Sequence, residues 1–251
     1  VSELAAFFDV TNPVEDPRRR AITDMVMAWH NATPRHLQVE LGPSEVGHPC
    51  MRKIAYGTMQ ADECNPQFDP LPSIIGTASH AWMHEAAEHA NRLLGRTRWL
   101  AEQRVEVAPG LGGSCDLFDL DTGAVIDHKF PGANRFTMYK KKMSTVYRNQ
   151  VHLYGYGFEQ AGHTVNTVSV ALFPRGGMLR NMHLWTEPYS RSRAETVLED
   201  RLKMLMLTND LDVERNPERF RWIPASPDDC RFCAWYSPTA DSPLQCKGDG
   251  T

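Results

Sequence analysis

"GGSCDLFDLDTGAVIDHKF", residues 112–130, reads as a β-hairpin whose second strand ends in an acid, a histidine and a lysine. Strand-forming residues 114–120 meet a turn at Asp121, Thr122 and Gly123, and a second apolar run, Ala124 to Ile126, leads into Asp127. Side chains alternate along a strand, so Asp127 and Lys129 share one face while His128 points to the other. Asp116 can reach the Asp127 face from the neighbouring strand. Hard divalent cations take carboxylate and carbonyl oxygens, which makes Asp116, Asp127 and the His128 backbone carbonyl candidate ligands for Mg2+ or Mn2+. Lys129 is too basic to be a resting ligand; beside a metal it can stabilise phosphoryl charge or orient a water. Taken alone, the Asp-x-Lys triplet also fits a polar hairpin with a surface ion pair.

Upstream, residues 76–95 read as an amphipathic helix carrying His80. Trp82, Met83, Ala86, Ala87, Ala90 and Leu94 form its buried side, and Glu85, Glu88 and Arg92 meet solvent. The nearby "HEAAEH", residues 84–89, is not a zinc-protease motif. Its histidines are five apart, roughly 140° around a helix, so one face cannot present both. Downstream, a helix over 138–158 puts Gln150 and Tyr154, four apart, on one face. Residues 128–158 contain Lys129, Arg135, Lys140, Lys141, Lys142 and Arg148 without one Asp or Glu, a local basic patch in a chain of net charge −4. Phe136 and Tyr139 within it can stack on the exposed bases of a frayed or single-stranded end; a solvated lysine cluster with two packing aromatics is the alternative.

Cys230-x2-Cys233 is followed by Cys246, while Cys50 stands far upstream beside a helix beginning at Met51 or Arg52. Four thiolates brought together can ligate tetrahedral Zn2+ or a cubane iron–sulfur cluster. The 12 residues between Cys233 and Cys246, "AWYSPTADSPLQ", suit a surface loop. Cys64 and Cys115 are spare in this scheme.

These pieces, in this order, resemble the RecB-like branch of the PD-(D/E)XK nucleases, especially its Cas4- and AddB-like iron–sulfur group. "GTASH" places that family's metal-binding histidine at His80, "GGSCD" its first catalytic aspartate at Asp116, "DHK" its second acid and lysine at Asp127 and Lys129, and "QVHLY" its Q-x-x-x-Y pair at Gln150 and Tyr154. The resemblance spans roughly residues 45–248. It departs from the family in the long gap before Cys246 and at Phe130, where many relatives place a small hydroxyl residue. It implies a catalytic set of His80, Asp116, Asp127, Lys129, Gln150 and Tyr154, with Mg2+ or Mn2+ held by His80, Asp116, Asp127 and His128. It also implies a [4Fe–4S] cluster on Cys50, Cys230, Cys233 and Cys246, structural Zn2+ being the alternative. The implied activity is DNA phosphodiester hydrolysis, favouring an exonuclease on single-stranded or resected ends in recombination, repair or phage DNA metabolism, with a recombinase or helicase as possible partner. A noncatalytic DNA-binding module and a zinc-stabilised interaction protein are the competing readings.

Composition fits a folded enzyme: 41% apolar residues with six tryptophans and ten phenylalanines can build a core without disulfides. With no apolar leader or long apolar span, the expected location is the cytoplasm, that of the host if the chain is phage-encoded. The expected architecture is α/β: a mixed-sheet, restriction-endonuclease-like core with flanking helices and an iron–sulfur accessory subdomain. Its divisions are 1–72, a helical region contributing Cys50; 73–210, the nuclease core; and 211–251, the cysteine region closing the cluster. Strands are expected at 99–107, 114–120, 124–129, 164–173 and 179–185, and helices at 73–95, 138–158 and 190–208, with two more helices in residues 1–40 around "NPVEDP".

Overall fold

The alternating run from residue 99 onward forms three antiparallel strands in the computed structural model, which describes residues 16–32, 42–65, 69–227, 230–239 and 241–248. Strand β1 (Trp99–Ala108) pairs with β2 (Leu111–Asp119), and β2 with β3 (Ala124–Lys129). Then β3 pairs in parallel with β4 (Thr167–Leu172), and β4 antiparallel with β5 (His183–Pro188), giving a five-stranded mixed sheet in the order β1-β2-β3-β4-β5. The β2–β3 turn closes over Asp119. Its buried carboxylate accepts from Arg98 Nε and Nη2 at 2.9 and 2.8 Å, from Asp121 N at 3.1 Å and from Thr122 Oγ1 at 2.8 Å. Gly123 completes that turn with φ 66°, and a Cβ there would lie 2.5 Å from the Thr164 carbonyl oxygen, so the position requires glycine.

Helices flank the sheet. Residues 1–38 cluster as one unit, in which α1 (Pro17–Ala32) buries none of its residues. Residues 39–251 form the other, with α2 (Pro43–Val46), α3 (Met51–Thr58), α4 (Leu71–Leu94), α5 (Ala133–Lys141), α6 (Thr145–Gln160) and α7 (Arg191–Asp210). A parallel β3–β4 pair needs a crossover, which α5 and α6 supply. The α6 helix packs Val151, Tyr154 and Phe158 onto Val105, Phe118, Val125, Val168 and Val170 of the sheet. Gly157 permits this approach, because a Cβ there would come within 2.9 Å of the Val105 side chain. A second core joins Ile54, Ala55 and Tyr56 of α3 to Met204 of α7 and to Val213, Phe220, Ile223 and Cys246.

The structure corrects several sequence expectations. The single helix expected over 138–158 is two, because Lys142 is extended (φ −149°, ψ 112°) and Met143 turns inward into the sheet core. The last strand begins at His183, a 3-10 turn occupying Leu179–Asn181. The apolar stripe of α4 is not buried: Ala87 is its one buried residue and Trp82 is 72% exposed. That helix is tied to the sheet through Asn91, whose side chain bonds Arg98 N, Trp99 N and Trp99 O. Of the two helices expected in residues 1–40, the portions in 1–15 and 33–40 lie outside the described residues. Among the described residues no helix is long and apolar enough to cross a membrane.

Hydrogen bonds from Arg98, outweighing burial, hold the Asp119 carboxyl below the usual carboxylate range. Its stabilisation is therefore present above the unfolded aspartate value of about 3.9 and is lost as pH falls through the lower folded value. Asp119→Asn is expected to cost about 1–3 kcal/mol in urea unfolding at neutral pH, with the gap to wild type narrowing in acid. Equal midpoints at neutral pH would contradict this role.

Candidate active site

The β2–β3 ladder ends at the Leu117–Ile126 pair. Beyond it the side chain of Asp116 takes the place of a backbone partner: Oδ2 accepts from His128 N at 2.6 Å. Its Oδ1 lies 3.2 Å from Nδ1 of His80, which projects from α4. The His128 ring stands on the same side, its centroid 6.2 Å from that of His80. His80, Asp116 and His128 thus offer three ligand atoms within 4.8 Å of one another.

Asp127 and Lys129 form the adjoining pair. Asp127 is 1% exposed, and Lys129 Nζ lies 2.6 Å from its Oδ2, while Oδ1 has no hydrogen-bond donor among the described residues. The ammonium also sits 5.0 Å from the centroid of the Tyr147 ring. Gln150 and Tyr154 share one face of α6 and are both buried. Burial raises the pKa of the Tyr154 hydroxyl, as does the charge of Asp127, while a hydrogen bond with Gln150 opposes the rise. This pair is therefore packed within reach of the Asp127 charge.

The charges are mutually tuned. Burial pushes the Asp127 carboxyl up to about 6, against the pull of Lys129. Burial would likewise raise Asp116, but its hydrogen bond with His80, the Lys129 charge and the His128 N–H bring it below the usual range. For Lys129, burial is outweighed by Asp127 and Asp116, and the ammonium is held above the ordinary lysine value. Burial lowers His80, but its hydrogen bond with Asp116 and the charges of Asp116 and Asp127 together raise it, whereas burial lowers His128 to about 4 and keeps its ring neutral. A cation bound at His80 would have to displace its proton.

The sequence missed two features of this site. It enlisted only the carbonyl of His128, yet the ring joins the ligand group. It also passed over Glu102, whose Oε1 lies 3.9 Å from His80 Nδ1 and whose backbone is left-handed at φ 51° within β1. Strand alternation carries no signal for such a conformation. The base-stacking role expected of Phe136 and Tyr139 is corrected: Tyr139 is buried and Phe136 packs against the same core. Of the basic patch, Lys140, Lys141 and Lys142 are exposed, while Arg148 is neutralised by a two-pronged bond to Glu187 at 3.2 and 2.7 Å.

Away from this site, Cys50, Cys230, Cys233 and Cys246 line one cavity with His48, Lys53 and Tyr56. Cys50 caps α3, its sulfur accepting from Lys53 N at 3.4 Å. Cys246 receives Gly248 N at 3.4 Å and the buried guanidinium of Arg52 at 3.6 Å. Within the 12-residue gap, Tyr236 forms a β-bridge with Cys246. Cys115 is fully buried in the sheet core, and burial pushes its thiol well up.

Among solved structures the chain is similar to the alkaline exonuclease LHK-Exo from Laribacter hongkongensis, with 11% identity, a TM-score of 0.48, and coverage of 72% of this chain and 93% of that one. LHK-Exo in complex with dAMP gives 12% identity, a TM-score of 0.48 and the same coverage, 72% and 93%. A phage related exonuclease from Haemophilus somnus 129PT gives 14% identity and a TM-score of 0.44, over 66% of this chain and 82% of that one. No family model matches the sequence, and no curated protein does.

Lys129→Met leaves Asp127 a buried charge without its partner and is expected to cost about 3–5 kcal/mol of stability in metal-free buffer. Adding Asp127→Asn is expected to recover most of that loss. Strictly additive losses in this unfolding cycle would show that the pair does not interact.

Proposed function

We propose that the chain is a divalent-metal-dependent DNA nuclease of the PD-(D/E)XK type, acting as an exonuclease on single-stranded or resected ends. The observation that carries this reading is the meeting of His80, Asp116 and His128 within 4.8 Å beside the buried Asp127–Lys129 pair. The donors suit the ion. Carboxylate oxygens and imidazoles accept Mn2+, the carboxylates accept Mg2+, and a carboxylate as deeply buried as Asp127 with an undonated oxygen is otherwise costly to maintain. His80, Asp116, Asp127 and the His128 carbonyl would hold the ion, with the neutral His128 ring as a further donor. Bound there, the ion supplies acidification of a water and neutralisation of charge on the scissile phosphate.

Lys129 does the complementary work. Held protonated by two carboxylates, it acts as a hydrogen-bond donor and not as a proton acceptor, orienting the attacking water or stabilising charge on a phosphoryl oxygen. The water oxygen bonds to phosphorus as the bond to the 3′ oxygen breaks, the 3′ oxygen takes a proton from solvent and leaves as a hydroxyl, and the phosphate stays on the 5′ oxygen. Gln150 and Tyr154 shield Asp127 from bulk water. Lys140, Lys141 and Lys142 supply phosphate attraction without sequence preference.

We further assign a [4Fe–4S] cluster to Cys50, Cys230, Cys233 and Cys246. The four cysteines line one cavity, as a shared inorganic group requires. The Arg52 guanidinium and backbone N–H groups aimed at sulfur favour an anionic group. Hydrolysis transfers no electrons, so the cluster's role is structural.

Two measurements test these readings. With Mg2+ or Mn2+, end-labelled linear DNA should lose label while circles stay intact, and Asp116→Ala and Lys129→Ala should each slow the reaction by about 10²–10³-fold. Cleaved circles would demand endonuclease action; DNA bound but never cut would leave a noncatalytic module. Anaerobically purified protein should be brown with about four irons per chain, a content lost in Cys50→Ala and kept in Asp116→Ala. A colourless protein holding one zinc would overturn the cluster assignment.

A further inference from the structure

The parallel strands β3 and β4 end side by side, and the residue that follows each is a phenylalanine. Phe130 leaves β3 and Phe173 leaves β4, joined by the Phe173 N–H bond to the Lys129 carbonyl at 2.8 Å. Their rings stack with centroids 5.2 Å apart at an interplanar angle of 18°. They also abut the metal-site histidines, Phe130 lying 5.4 Å from the His80 ring and Phe173 5.8 Å from the His128 ring, both edge-on. In front of the pair opens a cavity of about 240 Å³, completed by Ile75 and Ser79 of α4 and by Met178 and Leu179. Leu179 stays 77% exposed at the rim. Arg175 is fixed there by bonds from Nη2 to the Phe130 and Pro72 carbonyls at 3.0 and 3.4 Å, so its charge is positioned without being neutralised by those partners.

We propose that this cavity is a nucleobase subsite, holding the base of a nucleotide next to the scissile phosphate. The inference rests on the nuclease reading and deepens it. Its wall is largely apolar and aromatic, its two phenylalanine rings lie against His80 and His128, and it is sized for one planar ring system, not for a helix or a strand pair. Ligands of open α/β sheets bind beyond the carboxyl ends of the strands, where both phenylalanines stand. Every base has an apolar face, so such a site takes any base from an unpaired end and cannot take one still stacked in a duplex. The Arg175 charge at the rim fits the phosphate that follows. The stacking residues are thus Phe130 and Phe173, not the buried Tyr139 and packed Phe136.

The test uses a single-stranded oligonucleotide whose nucleotides on either side of the cleaved bond are replaced, one at a time, by an abasic analogue, with wild type compared to Phe173→Leu and Leu179→Ala. Base stacking is worth about 1–3 kcal/mol, so wild type should lose about 5- to 150-fold in kcat/KM at one of the two positions. Phe173→Leu should cut intact and abasic substrates at rates within a few-fold of each other. Leu179→Ala, at the exposed rim, serves if Phe173→Leu fails to fold, and should narrow the same discrimination. Equal wild-type rates on intact and abasic substrates would overturn the subsite while leaving the nuclease reading in place. No metal-dependent cleavage of either substrate would overturn both.

Discussion

The carboxylate of Asp116 takes over where the β2–β3 ladder stops, and the site depends on that substitution. A strand N–H without a partner is expensive to bury, so the His128 amide must find an acceptor once the strands part. Asp116 supplies one at 2.6 Å and leaves its other oxygen facing His80. One side chain thereby joins β2, β3 and α4, and the gap opened by the ended ladder becomes the space in which ligand atoms meet. The other edge of β3 stays hydrogen-bonded to β4 through the Lys129–Leu172 pair, so Asp127 and Lys129 are held on a rigid strand. Under the proposed nuclease chemistry such rigidity matters, because small displacements of reacting groups cost rate.

Much of this was legible in the primary structure. Period-two alternation from residue 114 to 129 located the hairpin and separated Asp127 and Lys129 from His128, and the Asp-Thr-Gly turn marked the reversal. The i, i+4 spacing put Gln150 and Tyr154 together. What the pattern could not carry was the use of both strand faces at once. Alternation put Asp116 with Asp127, but the ended ladder lets its carboxylate reach the His128 amide and the His80 ring. Glu102 was equally opaque, since its left-handed backbone follows from tertiary constraint and not from its residue type.

Other misreadings share a cause: composition reports what a residue can do, and packing decides what it does. Phe136 and Tyr139 sit among lysines, which suggested solvent-facing aromatics, yet Met143 pulls the chain inward and they join the sheet core. Trp82 lies on a helical apolar stripe, yet α4 docks through Asn91 and the small Ala87. The cysteines show the reverse case, spacing alone being mute about Cys50. The second hydrophobic core brings α3 beside the C-terminal segment, and Arg52 ties them through the Ile223, Arg221 and Gly248 carbonyls. Closing so long a loop costs only slowly growing entropy, which a shared core offsets.

The proposed role of the group around Asp116 is to bind a divalent metal for chemistry on phosphate. Diffraction from crystals soaked in Mn2+, collected at the manganese edge, tests it without reference to turnover. An anomalous peak is expected within coordination distance of Asp116 and His80, with the Asp127 carboxylate turned toward it and no such peak in Asp116→Asn. A wild-type map empty at this position, with Asp127 still paired to Lys129, would contradict it.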